Sequence, residues 1–250
     1  MKTYGLIGYP LSHSWSQKFF LNKFKKEGIK AYYDLFPLRK IEELIPLLQN
    51  NKNICGLNVT IPYKELILPY VDMLSDEAAA VGAVNTLKVN SHKDAFYIKG
   101  FNTDVHGFSD SIRKYDLTPH QNALILGTGG AAKAVGYVLE KMGLDTVYAS
   151  RTPKMKNQIP YFAIDASVMQ RNTIVVNTTP LGMYPMVDSC PDIPYRYLTH
   201  THLVYDLVYN PQKTLFLHKA EQQKAYICNG LNMLYAQAEK SWCIWNDDSL

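Results

Sequence analysis

The chain has 250 residues, of which 47% are hydrophobic and 19% charged, and a formal net charge of +4. That length accommodates one large or two modest domains with real cores. The positive excess is small and no basic run is long, which points away from nucleic acid; no apolar run approaches ~18 residues, so no membrane span is expected.

Strand and helix patterns alternate from the start. Residues 4–8 read as a strand, 15–27 as a helix with Phe19, Phe20 and Phe24 on one face, 31–35 as a strand and 41–49 as a helix. A strand at 55–59 leads to a short helix after Pro62. Strands at 84–89 and 95–98 flank a turn read at Asn90-Ser91-His92. This order implies a largely parallel sheet covered on both faces. A helix over 104–115 hands over to a second series: strand 123–126, helix 130–142, strands 146–149, 173–176 and 203–206, helix 212–223 and strand 225–227. The tail reads as one long helix from Leu231 to Trp245. The fold class is therefore α/β with two domains and a cleft between them. A substrate domain with a mainly parallel sheet occupies about residues 1–103, and a Rossmann-type domain about 104–228. Periodicity alone does not assign the terminal helix to either sheet.

Cys55, Cys190, Cys228 and Cys243 show neither C-x-x-C nor zinc-finger spacing. They read as free thiols of a reducing cytoplasm. The first residues enter a strand without the apolar core of a signal peptide, and a cytoplasmic location is expected.

The densest signal lies at Ala123-Leu-Ile-Leu-Gly-Thr-Gly-Gly-Ala-Ala-Lys-Ala134. Gly127, Gly129 and Ala132 match the G-x-G-x-x-G/A fingerprint of a dinucleotide-binding turn between strand and helix. The helix start offers free N–H groups to phosphates. The following strand runs into Ser150-Arg151-Thr152, with Lys154 and Lys156 beyond. NAD-binding proteins often carry a carboxylate there for the ribose 2′-hydroxyl. A guanidinium suits a 2′-phosphate instead, so the cofactor is read as NADP.

The first half has no such fingerprint, but its strand ends are dense in short polar groups: Ser12 to Ser16, Gly56 to Lys64, Gly82 to Thr86, and Asn102-Thr103-Asp104. Ligands of open parallel sheets bind beyond the carboxyl ends of the strands. Hydroxyls, amides, an ammonium and a carboxylate gathered there suit a polyhydroxylated acid and a proton transfer. Each group also has a plain reading. Ser12, Ser14 and Ser16 read as helix caps, Asp104 as an N-cap, Lys64 as a solvated lysine, and Asn58, Asn85 and Asn102 as turn residues. His13, His92, His106, His120, His200, His202 and His218 show no metal or triad spacing and read as surface or packing residues; no metal is expected.

Taken in register, these segments resemble the shikimate dehydrogenase family over essentially the whole chain. The motifs are His13-Ser14-Trp15-Ser16, Asn58-Val-Thr-Ile-Pro-Tyr-Lys64, Gly82-Ala-Val-Asn-Thr86, Asn102-Thr-Asp104, Gly127-Thr-Gly-Gly-Ala131, Ser150-Arg-Thr152, Asn177-Thr-Thr-Pro-Leu-Gly-Met183, Asp206-Leu-Val-Tyr-Asn-Pro211, and Asn229-Gly-Leu231 with Gln237. The resemblance implies NADP-dependent, reversible reduction of 3-dehydroshikimate to shikimate, in the chorismate branch of aromatic amino acid biosynthesis. It implies Lys64 as the catalytic lysine with Asp104 as its partner. It implies Ser14 and Ser16 on the substrate carboxylate, and Thr60, Asn85, Asp104, Tyr209 and Gln237 as further substrate-binding positions. It implies Gly127, Thr128, Gly129, Gly130 and Ala131 as the phosphate loop, and Ser150, Arg151 and Thr152 at the ribose phosphate. Leu207 and Gly230 then lie near the nicotinamide, and the terminal helix, 229–250, returns to the substrate domain. Small molecules are the expected partners, with no nucleic acid and no membrane, and the chain is expected as a monomer or homodimer.

Two rivals stand beside this reading: an NAD-dependent quinate/shikimate dehydrogenase, and a non-catalytic NADP-responsive binding protein. Arg151 argues against the first, and the retention of both Lys64 and Asp104 against the second. The chain also departs from the family pattern. Gln17 stands where proline usually follows the second serine, Thr128 where alanine is usual, and Met155 where a second basic residue is usual. An acidic position near the cofactor corresponds to Asp76 or Glu77, and 153–171 is short for the family.

Overall fold

The computed structural model describes residues 1–11, 14–92 and 95–247. Ser12, His13 and the side chain of His92, singled out above, lie outside the described residues. The chain packs as two compact units, Met1–Thr103 joined by the chain from Ala238 onward, and Asp104–Gln237.

The first unit is built on a six-stranded sheet in the order β2-β1-β3-β5-β6-β4. Its strands are β1 (Lys2–Gly8), β2 (Ala31–Pro37), β3 (Ile54–Val59), β4 (Met73–Leu74), β5 (Thr86–His92) and β6 (Ala95–Phe101). The helices α1 (Trp15–Glu27), α2 (Leu44–Asn50), α3 (Tyr63–Leu66) and α4 (Asp76–Val81) fall between them. β1, β2 and β3 run parallel, and β4 runs parallel to β6. β5 is antiparallel to both β3 and β6. A two-residue connection from β5 to β6 permits only an antiparallel pair. The consequence is functional. Because β5 runs against the others, its first residue lies beside the last residues of β3 and β6: Thr86 pairs with Asn58 and with Phe101.

Leu44, Leu48, Ile54, Leu57, Ile67, Val84 and Leu87 form the core on one face of this sheet. On the other face Tyr4, Phe20, Phe24, Tyr33 and Trp245 form an aromatic cluster. Trp245 stacks on Tyr4 at 4.8 Å between ring centroids and donates its indole N–H to Leu87 O. It belongs to the last helix, α9 (Leu231–Asn246), which contributes residues up to Gln237 to the second unit and from Ala238 to the first.

The second unit carries a six-stranded sheet in the order β12-β11-β10-β7-β8-β9. Its strands are β7 (Asn122–Leu126), β8 (Asp145–Ser150), β9 (Gln158–Pro160), β10 (Ile174–Asn177), β11 (Leu203–Asp206) and β12 (Tyr226–Asn229). Every pair is parallel. The helices α5 (Thr103–Ile112), α6 (Gly130–Lys141), α7 (Ala166–Arg171) and α8 (Leu215–Gln222) complete the unit. Two apolar layers cover the sheet, one around Phe108, Val135, Leu139 and Tyr205, the other around Leu124, Met169, Val204 and Phe216. β10 and β11 are buried along their whole length, as expected of central parallel strands.

Some boundaries differ from the sequence reading, for physical reasons. The helix expected over 41–49 is a short 3-10 turn at Ile41–Glu43 followed by α2 from Leu44. That start places Pro46 in the first turn, where its missing N–H costs nothing. The turn read at Asn90-Ser91-His92 is strand: Ser91 pairs with Phe96, and His92 with Ala95. The helix expected from 212 begins at Leu215, where Thr214 accepts a bond from Leu217 N and caps it. All four cysteines are free thiols. Among the described residues no helix is long and apolar enough to cross a membrane, and no group of three or more His, Cys, Asp or Glu side chains could hold a metal ion.

Candidate active site

In the first unit, main-chain bonds gather the polar segments at one end of the sheet. Thr60 N–H donates to Ile7 O at 2.9 Å, tying the end of β3 to that of β1. Val59 N–H donates to Asn85 O at 2.8 Å, and Asn85 N–H to Phe101 O at 3.0 Å. Val84 N–H donates to Lys64 O at 2.7 Å, fixing α3 against the segment before β5. Asn102 adds a side-chain bond to Ala83 O at 2.9 Å. Thr60, Lys64 and Asn85 are thus held together by backbone, before any side chain is considered. Lys64 is half-buried, whereas Asn85 is buried.

Ser14 and Ser16 sit at the start of α1, beyond the end of β1. Ser14 is the N-cap and accepts from Gln17 N–H at 3.4 Å. The plain capping reading therefore describes part of what Ser14 does. It does not exhaust the residue, because a cap uses an oxygen lone pair and leaves the hydroxyl proton to donate. Gln17 makes this bond possible: a proline there would have no N–H. The Gln17 side chain adds a bond to Tyr33 O at 3.2 Å. Ser16 is half-buried and lies near Tyr33, whose titration burial drives far upward.

Asp104 is the second residue of α5 and is buried, in the first turn where a carboxylate suits the helix dipole. One turn on, Gly107 packs so closely on α9 that a Cβ there would lie 2.6 Å from Met233 O and 3.0 Å from Gln237 Cβ. Helix α5 therefore runs directly against the stretch of α9 that carries Gln237. Gln237 is half-buried and donates to Leu234 O at 3.0 Å. Tyr209, also half-buried, follows β11, and burial raises its phenol. Asp76 and Glu77 are exposed in the first turn of α4, capped by Ser75.

The second unit builds a nucleotide cradle. Its strand order, read from β9, is the doubly wound 3-2-1-4-5-6, with the crevice at the reversal between β7 and β10. Gly127 closes β7 with φ +112°, which only glycine adopts readily, and a Cβ there would meet Thr178 Oγ1 at 2.7 Å. Thr178 locks the facing loop by donating to Leu126 O at 2.7 Å. Gly129 occupies the N-cap of α6, where no side chain caps the helix. The space above Gly129 is open to 4 Å. Open space over an uncapped twelve-residue helix start is the form a pyrophosphate needs. Thr128, Gly130 and Ala131 line the same turn, half-buried.

At the end of β8, Ser150 is buried and accepts from Thr152 N–H at 3.2 Å, while Arg151 and Thr152 are exposed. The Arg151 guanidinium lies near enough to Tyr161 to oppose the upward pull of burial on that phenol. Lys154 and Lys156 are exposed, and Lys154 N–H bonds Gln158 Oε1 at 2.8 Å, closing the loop around Met155. Leu207 and Gly230 directly follow the paired residues Asp206 and Asn229, so the register of β11 and β12 sets them side by side. These donors fit an NADP-type dinucleotide: uncapped amides for the pyrophosphate and an exposed guanidinium for a 2′-phosphate.

Sequence reasoning gave no role to three residues that shape these regions. Thr178 and Asp206 lay inside quoted motifs. Ser241, buried in α9, carried only the signal of a serine amid aromatic residues.

A parallel sheet in this order, with a glycine turn and an uncapped helix at its switch point, defines a dinucleotide-binding α/β protein of the dehydrogenase type. The family described as the shikimate dehydrogenase substrate binding domain matches residues 6–87. Over 259 aligned residues the chain is 38% identical to shikimate dehydrogenase (NADP(+)) of Clostridium beijerinckii, covering 100% of this chain and 94% of that one. Among solved structures it is similar to shikimate dehydrogenase 1 from Peptoclostridium difficile, at 35% identity and TM-score 0.85, covering 99% of this chain and 92% of that one. It is also similar to the Thermus thermophilus shikimate 5-dehydrogenase in complex with NADP(H) and shikimate, at 28% identity and TM-score 0.83, covering 98% and 94%. This chain belongs to the shikimate dehydrogenase family.

Proposed function

We propose that this chain catalyses the NADP-dependent, reversible reduction of 3-dehydroshikimate to shikimate. The observation that carries the reading is the opposed direction of β5. It brings Asn85 into one polar cluster with the ends of β1, β3 and β6, alongside Thr60 and Lys64. Such a cluster presents hydroxyl, amide and ammonium donors to a polyhydroxylated carboxylate.

In this reading Ser14 and Ser16 donate to the substrate carboxylate. Thr60, Asn85, Tyr209 and Gln237 orient the ring hydroxyls. Lys64 is the proton donor to the ring oxygen during reduction, and its ammonium stabilises the alkoxide as charge develops. Asp104 orients the lysine and balances its charge. Gly127 to Ala131 hold the pyrophosphate, Ser150, Arg151 and Thr152 the 2′-phosphate side, and Leu207 and Gly230 flank the nicotinamide. NADPH, when bound, supplies the hydride. Residues 1–103, with the terminal helix, form the substrate domain, and 104–228 the cofactor domain. The enzyme works in the cytoplasm as a monomer or homodimer on small molecules, and its modest positive net charge suits an anionic substrate and cofactor.

The test is absorbance at 340 nm with shikimate or quinate, each with NADP or NAD. The expected outcome is turnover with shikimate and NADP well above the other three combinations. Preference for quinate with NAD would overturn the assignment in favour of a quinate dehydrogenase. Binding of NADP without turnover of either acid would make the chain a non-catalytic sensor.

A further inference from the structure

Beneath the polar cluster of the first unit lies a fully buried network of hydroxyls and amides. Asn85 Oδ1 accepts from Thr103 N–H at 2.7 Å, from Thr103 Oγ1 at 3.1 Å and from Thr86 Oγ1 at 3.1 Å. Ser241, which has no solvent exposure, comes from α9 to complete the set. Its hydroxyl lies 2.9 Å from Thr86 Oγ1 and 3.2 Å from Thr103 Oγ1, and accepts from Asn58 Nδ2 at 3.0 Å. Asn58 Nδ2 also reaches Thr86 Oγ1 at 3.2 Å, and its Oδ1 accepts from Tyr33 OH at 2.8 Å. The bonds form a continuous path from Tyr33 to Thr103, which immediately precedes Asp104.

The Thr103 main-chain N–H can only donate, so it fixes the oxygen end of the Asn85 amide. The Thr86 and Thr103 hydroxyls each lie 3.1 Å from that oxygen and 3.2 Å from each other. Asn58 Nδ2 can only donate. The Ser241 hydroxyl, within bonding distance of both threonine hydroxyls, holds them in place beside Asn85 Oδ1. With Oδ1 committed to donors inside the protein, the Asn85 amide has a single orientation. Its NH2, at the other end of the amide, is presented as a donor. A donor is what a substrate hydroxyl oxygen or ketone requires.

We propose that Ser241 is a positioning residue for substrate recognition: through Thr86 and Thr103 it fixes the orientation in which Asn85 meets the ligand. This rests on the reading of Asn85 as a substrate contact in the reaction proposed above. Asn85 would bind substrate and transition state alike, so its misplacement raises KM and leaves kcat. The network lies wholly in the first unit, so NADP affinity is not involved.

The experiment is steady-state kinetics of the full chain carrying Ser241→Ala, with thermal melts beside it. The expected result is a KM for shikimate about three- to tenfold higher, the scale of one net hydrogen bond. The kcat should stay within about twofold, since uniform binding does not enter it, and the KM for NADP should be unchanged. Thr86→Val, which removes the second hydroxyl at constant shape, should show the same signature, and Thr86→Ser, which keeps it, should restore the wild-type KM. A lower melting temperature with unchanged KM for shikimate would mean that Ser241 only stabilises the fold, and would overturn the proposal. Parallel rises in both Michaelis constants would overturn it too, as general loosening. A wild-type chain inactive on shikimate would remove the functional reading, and this proposal with it.

Discussion

Asn177 Nδ2 donates to Asp206 Oδ1 at 2.9 Å, joining the last residues of the neighbouring strands β10 and β11 inside the second unit. Asp206 has no solvent exposure. It also accepts from Val208 N–H at 3.0 Å and from Thr214 Oγ1 at 2.5 Å. The carboxylate therefore organises the turn that carries Leu207 and Tyr209, and it anchors the cap of α8. Burial outweighs its hydrogen bonds and pushes its pKa up to about 6.

That shift makes stability depend on pH in a definite sense. The folded pKa lies above the unfolded value, so the protonated form is favoured in the native state. Its contribution is complete below the unfolded carboxylate range, near pH 4, and is lost as pH rises through about 6. At pH 7.5 the ionised group costs the fold about 3 kcal/mol relative to a neutral one. Asp206→Asn keeps an acceptor for Asn177 and Val208 and turns an amide donor to Thr214. The variant should melt higher relative to wild type at pH 7.5 than at pH 4. A difference that does not change with pH would show that Asp206 does not titrate in this range.

Arg151 tests cofactor choice. It is exposed at the end of β8, beside a loop whose lysines are exposed as well. Arg151→Ala should weaken NADP binding by at least ~1.5 kcal/mol, the low end for a charged hydrogen bond, with NAD binding little altered. Titration calorimetry with both nucleotides reads this directly. Equal losses would show that the arginine supports the loop rather than the 2′-phosphate.

Ser14 separates two roles in one side chain. Its oxygen caps α1 through Gln17 N–H, while its proton is assigned to the substrate carboxylate. Ser14→Ala should raise the KM for shikimate and lower stability by up to ~1 kcal/mol. Ser14→Asp preserves a good cap but sets a negative charge against an anion. Its melting temperature should match or exceed that of wild type while shikimate binding is lost. Normal affinity in Ser14→Asp would reduce the serine to a cap.

The long, regular elements were legible because their periodicity and burial agree. The strand read at 203–206 is β11 to the residue, and the tail helix is α9 with one residue added. What escaped was short. β4 is only the pair Met73–Leu74, too brief to show alternation. α4 is a run of alanines with little apolar contrast, although Ser75, the acids at 76 and 77 and Gly82 mark both its ends. α7 escapes in the same way, despite its Asp165 cap. The site clusters were visible as strand-end polar segments. The device that unites them, the opposed β5, depends on strand pairing between segments far apart in sequence. The Asn85 network depends on a serine more than 150 positions away in α9, beyond the reach of local patterns.

Lys64 is half-buried in α3, its carbonyl held by Val84 N–H, so its main chain is rigidly placed whatever the side chain does. Lys64→Ala should therefore leave the local fold intact and remove only the proton donor. Turnover should fall by ~10²-fold or more, the usual scale for a positioned acid–base group, while both ligands still bind. Asp104→Asn should also be severe, and the double variant much less than multiplicative, because groups that act as one unit do not lose their contributions independently. Single-turnover kinetics in the reduction direction measure the step without product release. Turnover near wild type in Lys64→Ala would remove the lysine from the mechanism. Fully multiplicative losses would leave both residues important and acting separately.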